Sequence, residues 1–489
     1  MERALGSGKN STKKIAALRE DKDFERLMKL LDGYPLAMEV VLANLARQNA
    51  GEILAGLDVA DVALDRRSVN KTESILKCVE YSHSNLSESA QKLLLCLAPF
   101  KGFIYRPLLP NYAQQLQQLA PFESWDFERF DDAIDEAVRW GLLSPYFEGD
   151  DGRLLRMQPV FPYFLKTKLA EADEAIRDGL ATGFKEQYKG LAAQYQQMME
   201  SKEPEQRKLG LFFCGLEYEN LFSALQTCLV QQETFEIFFC LNVFFNSSND
   251  TTGKLDLAEY VNQLIRKYPS HLLKGEFGLD QIGTYDLLAS SQLRAKQYES
   301  AKNTYLKELS LLNNISSVDE QRRKLQIAVV NHQLGRVAQE LRGFEQARSH
   351  FQQALDIKIE FSDRYSQAST YHMLGRVAEE LRDFEQARSH FQQALDIQIE
   401  FSDRYSQAGT YTGLGVIEQK QENYEEAKVL LLKALEIYAE FSDEHNASIV
   451  FNNLKAVYQA TQDDTLLSAV ASLINATAEE VHSRFTSTE

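Results

Sequence analysis

Apolar residues recur at helical spacing along most of the chain, and in the second half this pattern is itself repeated. Residues 335–368 and 375–408 lie 40 residues apart and differ only at Gln339/Glu379, Gly343/Asp383 and Lys358/Gln398. A third copy follows and is marked by Leu414, Tyr424 and Ala427. A degenerate copy precedes them and is marked by Leu288, Tyr298 and Ala301. Each copy predicts a pair of antiparallel helices, and the series predicts a stack of such pairs.

Small and large residues follow one another in a fixed order within each copy. The first helix of a pair is marked by Leu334, Gly335 and Ala338, and the second by Phe344, Ala347, Phe351 and Ala354. This order resembles the tetratricopeptide repeat over about residues 284–460, which implies an α-solenoid. The period of 40 exceeds the usual 34 of that repeat. We expect the six additional residues to extend the helices near residues 357–361 and 362–365.

The resemblance implies a ligand surface on the first helix of each pair, which lines the concave face in that family. The corresponding positions in two successive copies are His332, Arg336, Gln339, His372, Arg376 and Glu379. One interpretation is a groove in which the two arginines hold an acidic peptide or partner tail, because guanidinium pairs with carboxylate through two hydrogen bonds. The other is a solvated helix face whose charges are offset by neighbouring glutamates.

The first half carries a different series of elements. Residues 23–46 predict two helices, the first ending at Gly33 and the second beginning at Pro35. Further helices are predicted over residues 71–82, 87–97 and 127–140. A hairpin is predicted from residues 142–147 and 153–158, with an acidic turn between them.

Two short motifs in this half resemble motifs of the NB-ARC-type signal-transduction ATPases of the STAND class. Gly33-Tyr34-Pro35-Leu36-Ala37 resembles their G-x-P-L-A motif, and Met157-Gln158-Pro159 resembles the M-H-D-type motif that closes their winged helix. The resemblance implies that Pro35 lies against the adenine of a bound nucleotide. It also implies that Gln158 replaces a histidine that senses the β-phosphate, and glutamine can donate a hydrogen bond there but cannot titrate.

The expected fold class is mostly α, a helical subdomain and a winged helix followed by an α-solenoid of tetratricopeptide repeats. The expected domains are a flexible tail (1–14), a helical subdomain (15–66), a winged helix (67–170), a helical linker domain (171–283), the repeats (284–460) and a C-terminal capping helix (461–489).

Composition and charge narrow the classes of partner. The 489 residues carry a formal net charge of −18 without a visible basic patch, so we expect no binding to nucleic acid. The most apolar run, residues 237–245, is interrupted by Asn242 and is far shorter than the roughly 20 residues that a membrane helix needs, so no membrane segment is expected. Five cysteines without a CxxC pair indicate neither a disulfide framework nor a zinc site, and favour a cytoplasmic protein.

Known catalytic motifs are missing from the sequence. Gly6-Ser7-Gly8-Lys9 superficially resembles a phosphate loop, but it lacks the first glycine and the final Ser or Thr. We therefore expect no enzyme, no metal site and no cofactor in this chain alone, with ADP or ATP bound only where an upstream nucleotide domain is present. The predicted function is the sensor part of a STAND-type ATPase that binds a protein or peptide trigger. The alternative is a free-standing repeat adaptor.

Overall fold

The structure is a computed structural model that describes residues 21–31, 38, 41–59, 71–147 and 152–487. It divides into two compact units, residues 1–250 and 251–489. The division falls within the predicted linker domain, and the predicted domain boundaries stay predictions. The predicted tail, the motif containing Pro35 and the hairpin turn at 148–151 lie outside the described residues.

The first unit begins with helices α1 (Lys22–Leu31) and α2 (Ala50–Val59), joined in part by a 3₁₀ turn over Ala43–Ala46. Their apolar stripes meet in a small core that contains Phe24, Leu27 and Ile53. Helix α3 (Lys71–Ser84) adds Cys78 to this core. The apolar residues that recur at helical spacing in these segments therefore lie in one shared core.

The next segment combines helices with a small sheet. Its helices are α4 (Glu88–Leu94), α5 (Leu109–Gln117) and α6 (Phe130–Arg139), and its strands are β1 (Phe103–Tyr105), β2 (Leu143–Pro145) and β3 (Leu154–Met157). The strands are antiparallel in the order β1-β3-β2, with Phe103 opposite Arg156 and Leu143 opposite Met157. The predicted hairpin is confirmed as the pairing of β2 with β3, whereas strand β1 was not predicted because three residues give too short a pattern.

Two local signals in the sequence set the ends of these helices. The hydroxyl of Ser87 accepts a hydrogen bond from the backbone N–H of Ala90 and caps α4, as the sequence predicts. Gly141 follows α6 with a φ of 72°, a left-handed conformation that glycine adopts without strain. Helix α7 (Phe161–Glu171) then continues the chain from the sheet.

The rest of the first unit is helical. Its helices are α8 (Glu174–Met199), α9 (Pro204–Leu216), α10 (Tyr218–Gln231) and α11 (Glu236–Ser247). The long helix α8 contacts α9, α10 and α11 and also α5. Its Phe184 and Tyr188 are buried against Phe100, which fixes the loop before β1.

The second unit is a series of helix pairs with a short capping region. The helices are α12 (Thr251–Ile265), α13 (Gly275–Arg294), α14 (Tyr298–Asn314), α15 (Glu320–Glu340), α16 (Phe344–Glu360), α17 (Arg364–Glu380), α18 (Phe384–Glu400), α19 (Arg404–Lys420), α20 (Tyr424–Glu440), α21 (Glu444–Thr461), α22 (Asp464–Leu473) and α23 (Ala478–Thr486). Between α16 and α20 the helices have 17 residues each and the connections three, which accounts for the 40-residue period.

The connections correct one detail of the sequence analysis. Helix α16 continues to Glu360, so residues 357–360 do extend it, but Phe361, Ser362 and Asp363 form the connection. Ser362 adopts a left-handed φ of 55° and Asp363 caps α17 by accepting a hydrogen bond from the N–H of Ser366. The additional residues therefore lengthen both helices of a pair and leave tight turns between them.

Close contact between the two helices of a pair explains the small–large order. A Cβ atom added to Gly335 would lie 2.6 Å from the ring of Phe351, and one added to Gly375 would lie 2.8 Å from the ring of Phe391. These rings therefore occupy the space that a side chain on the facing helix would need.

Among the described residues, none of the helices has both the length and the apolarity needed to cross a bilayer.

Candidate functional site

The predicted ligand residues lie on the first helices of two successive pairs. His332, Arg336 and Gln339 are on α15 at positions i, i+4 and i+7, so they form one stripe. The equivalent stripe on α17 contains His372, Arg376 and Glu379. Helix α15 contacts α17, and α17 contacts α19, so the first helices of the pairs lie side by side. We call the two stripes together the first-helix surface.

The two histidines of this surface bridge adjacent pairs. Nδ1 of His332 lies 3.2 Å from Oγ1 of Thr370, and Nδ1 of His372 lies 3.1 Å from Oγ1 of Thr410. Each ring also packs edge-on against a phenylalanine of the second helix, Phe351 in the first case. Burial, with a contribution from nearby cations, lowers the pKa of His332 to about 3 and that of His372 to about 4. Both rings are therefore neutral near pH 7.

Lys358 joins the hydrogen-bond network at His332. Its ammonium group is buried and donates to Oγ1 of Thr370 at 2.8 Å and to the carbonyl of Ser366 at 3.0 Å. The hydroxyl of Thr370 has two acceptors within reach, Nδ1 of His332 at 3.2 Å and the carbonyl of Ser366 at 3.4 Å. The next copy has Gln398 at the position of Lys358, so this arrangement belongs to one pair only.

The two arginines are the exposed charges of the first-helix surface. Arg336 donates to Oε1 of Gln333 at 3.0 Å, and neither Arg336 nor Arg376 forms an ion pair with a carboxylate of the described residues. Other arginines of the repeats do form such pairs between neighbouring copies. Examples are Arg404 with Glu440 at 2.7 Å and Arg364 with Glu400 at 3.3 Å. Arg336 and Arg376 are therefore available to an external carboxylate.

The remaining two positions of the surface are less available. Gln339 is half-buried, and Glu379 accepts a hydrogen bond from the ammonium of Lys420 on α19 at 2.7 Å. Glu379 thus pairs with the neighbouring helix. The structure brings the six predicted residues onto adjacent helices, but only the two arginines present unpaired charge.

The residues implied by the ATPase resemblance lie in the first unit. Pro35 is outside the described residues. Gln158 follows β3 and is only 4% exposed, its N–H donating to the carbonyl of Leu142 and its carbonyl accepting from the N–H of Phe161. Its role toward a nucleotide stays a prediction.

A buried acidic cluster in the second unit was missed by the sequence analysis. Glu308 on α14 is fully buried and neither of its oxygens has a hydrogen-bond partner. The phenol oxygen of Tyr305 is likewise buried without a partner, and Asp286 on α13 lies close enough to raise the pKa of Glu308 further above the value that burial alone imposes. The signal was present, because Glu308 aligns with Ala354 and Ala394 of the regular copies.

The cysteine thiols and the metal-ligating side chains of the described residues do not assemble into a site. All five cysteines are free and buried, and burial raises the pKa of Cys78 to about 12. Within the described ranges, His, Cys, Asp and Glu side chains do not converge in groups of three or more that could hold a metal ion.

Comparison with known proteins identifies the repeats. The family model described as "Tetratricopeptide repeat" matches residues 326–400 and 406–465, so these residues form tetratricopeptide repeats. A search of curated proteins gives no match to this chain.

Several solved structures resemble the chain at low identity. BtubC (BKLC) from P. vanneervenii is 18% identical, with 49% of this chain and 94% of that chain covered and a TM-score of 0.38. A signal transduction ATPase with numerous domains from Pyrococcus horikoshii, which has a tetratricopeptide repeat sensor, is 13% identical, with 98% and 72% covered and a TM-score of 0.36. Aspartyl phosphate phosphatase F from Bacillus subtilis is 12% identical, with 77% and 96% covered and a TM-score of 0.34. Likenesses at this level carry no argument about function.

Proposed function

We propose that this chain is the sensor and regulatory part of a STAND-type signalling ATPase and that its repeats bind a protein or peptide trigger. The tetratricopeptide repeats support the general role of protein–protein interaction. The specific role is supported by the order of motifs along the chain, in which the G-x-P-L-A-like and M-H-D-like sequences precede the repeats. The observation that carries the binding proposal is the unpaired charge of Arg336 and Arg376 on adjacent first helices.

The two arginines favour an acidic ligand in an extended conformation. Packed helices lie about 8–10 Å apart. An extended chain in the polyproline II conformation has three residues per turn and advances about 3.1 Å per residue. Two carboxylates three residues apart therefore lie on one face of such a chain and match the separation of equivalent positions on α15 and α17. Guanidinium groups bind carboxylates through paired hydrogen bonds, so the arginines fix both the position and the orientation of such a ligand.

A trigger acts only by binding one conformation better than another. A ligand that spans α15 and α17 contacts two successive pairs, so its affinity depends on how these pairs are oriented. Binding would therefore favour one arrangement of the array, which is the property that a sensor needs.

An array of synthetic 12-residue peptides tests this proposal. In each peptide two glutamates are separated by one to six positions, and the labelled full chain is the probe. We expect the strongest binding at a separation of about three positions. The double variant R336A/R376A should bind at least tenfold more weakly, because both carboxylate partners are lost.

R348A is the matched control, since Arg348 lies on the second helix α16 and pairs with Glu345 of the same helix. It removes one positive charge without changing the first-helix surface and should bind within twofold of wild type. Equal weakening by R348A and by R336A alone would indicate a general charge effect and contradict the proposal.

The adaptor alternative shares the same surface and differs in its relation to nucleotide. Calorimetric titration of the full chain with ADP and ATP in the presence of Mg²⁺ detects a nucleotide site, and Pro35→Ala and Gln158→Ala locate it. Binding that both variants weaken supports the relation to the ATPases. A Gly-x4-Gly-Lys-Ser/Thr sequence in the reading frame upstream of Met1 supports the sensor role, and its absence there favours the adaptor.

A further inference from the structure

A cleft of about 740 Å³ in the first unit adjoins the M-H-D-like motif, since Met157 and Pro159 line it, and the proposed function assigns it no ligand. It lies between β1, β3, the first turns of α7 and the residues that join α9 to α10. Its volume falls in the range of pockets that bind small molecules. Aromatic and apolar side chains form most of its wall, among them Tyr163, which is 57% exposed.

Positive charge predominates in this cleft. Lys101, Arg156 and Lys166 line it, with Glu219 as the one carboxylate among the described lining residues. Lys101 and Lys166 both line the cleft, and partial burial together with the charge of Lys101 lowers the pKa of Lys166 to about 8. None of the three cations forms an ion pair with a carboxylate of the described residues, although the guanidinium of Arg156 lies over the ring of Tyr146. Like charges that share a cleft without a counter-ion are unfavourable unless an anion joins them.

A buried hydrogen-bond network holds the loop that carries Lys101. The backbone N–H of Lys101 donates to Oδ1 of Asn220, and Nδ2 of Asn220 donates to the carbonyl of Phe103 at 3.1 Å. Nδ2 of Asn220 also donates to the carboxyl of Glu217 at 2.6 Å, and the hydroxyl of Tyr188 donates to the same oxygen at 2.8 Å. The loop is therefore fixed by groups from α8 and α10, so the position of the lysine is built into the fold before any ligand arrives.

We propose that this cleft binds a small organic phosphate whose phosphoryl group lies between Lys101 and Lys166 and whose organic part contacts the aromatic wall. Two ammonium groups and one guanidinium, less the one carboxylate of Glu219, leave a charge that matches a phosphate dianion. Each cation supplies several N–H donors to the phosphate oxygens. The wall around Tyr163 provides apolar surface for a substituent. Inorganic phosphate alone would use the cations but leave this surface uncovered.

Isothermal titration calorimetry of the full chain with phenyl phosphate and with inorganic phosphate tests the proposal. We expect phenyl phosphate to bind at least fivefold more tightly than inorganic phosphate, and both to weaken as ionic strength rises. At pH 8 the heat of binding should also depend on the ionisation enthalpy of the buffer. An anion favours the charged form of Lys166, so binding takes up protons from the buffer.

K166Q and K168Q form a matched pair of variants. Both replace a lysine on α7 with the same residue, but the ammonium of Lys168 pairs with Glu80 at 3.5 Å and does not line the cleft. K166Q should weaken phenyl phosphate binding at least tenfold and abolish the buffer dependence, whereas K168Q should stay within threefold of wild type. Undetectable binding by wild type, or equal effects of the two variants with unchanged circular dichroism, would overturn the proposal.

Discussion

Replacing Glu308 with glutamine should remove a pH dependence from the stability of the second unit. Burial and the nearby carboxyl of Asp286 raise the pKa of Glu308 well above its ordinary value. The folded state therefore holds a proton that the unfolded state releases above about pH 4.3. Stability is highest below that pH and declines as pH rises toward the folded pKa.

The magnitude follows from proton linkage. One proton bound in the folded state and absent from the unfolded state changes the free energy of unfolding by about 1.4 kcal/mol per pH unit. Between pH 5 and pH 8 the decline therefore reaches up to about 4 kcal/mol. The positive charges that face the cluster reduce this decline. Lys254 on α12 opposes the rise in the pKa of Asp286, and Arg294 and Arg336 oppose the rise in the pKa of Tyr305. Glutamine keeps the shape of the side chain and cannot titrate, so E308Q isolates this contribution.

Urea unfolding followed by far-ultraviolet circular dichroism at pH 5 to 8 measures the effect. Tryptophan fluorescence is unsuitable, because both tryptophans, Trp125 and Trp140, lie in the first unit. Hydrogen exchange of peptides from α13 and α14 assigns the change to this part of the second unit. The difference between E308Q and wild type should grow with pH. A constant difference, or a wild type that becomes more stable relative to E308Q as pH rises, would refute the reasoning.

Ala354→Glu is the converse control, since Ala354 is the equivalent and fully buried position of a regular copy. A carboxyl group introduced there has no room and no partner. It should lower the free energy of unfolding by at least about 1–3 kcal/mol, the usual effect of an unpaired buried polar group. A stable A354E without added pH dependence would show that the position is not closed.

Two further substitutions test packing and protonation by urea unfolding. Gly375→Ala should destabilise by about 1–3 kcal/mol, because its Cβ would lie 2.8 Å from the ring of Phe391. Gly283→Ala on α13, with nothing within 4 Å of its Cβ, should instead stabilise by about 0.5–1 kcal/mol; the same sign for both would contradict this account. His372→Gln should reduce acid destabilisation between pH 6.5 and 5 by about 1.6 kcal/mol, since burial keeps the folded ring neutral while the unfolded ring takes up a proton below about pH 6.5. An unchanged pH profile in H372Q would contradict that assignment.

The repeats could be predicted from the sequence because the same order of small and large residues recurs in successive copies. Gly335 and Gly375 each stand opposite an aromatic ring, and the spacing between copies is constant. Strand β1 has no such support, since its three residues acquire their conformation from pairing with β3. Short elements are determined by tertiary contacts, which a local pattern does not contain.

The sites were harder to predict than the fold. The positions of Arg336 and Arg376 follow from helical spacing, but the pairing of Glu379 with Lys420 depends on a residue 41 positions away. The cleft of the first unit is lined by both Lys101 and Lys166, which no motif links. Their proximity results from the packing of α7 beside the loop before β1, and this packing is visible only in three dimensions.

Comparison among copies within one chain identifies functional candidates by a physical criterion. Every copy must satisfy the same packing, so alanine at positions such as Ala354 and Ala394 reflects the distance between helices. Glu308 departs from that requirement, and both of its buried oxygens are without a hydrogen-bond partner. Such a group lowers the free energy of unfolding. Lys358 differs in that its buried ammonium has partners, since it donates to Thr370 and Ser366. The hydrogen bonds of Lys358 therefore explain its presence by local structure. Glu308 has no such partners, so a function or an external partner is needed to account for it.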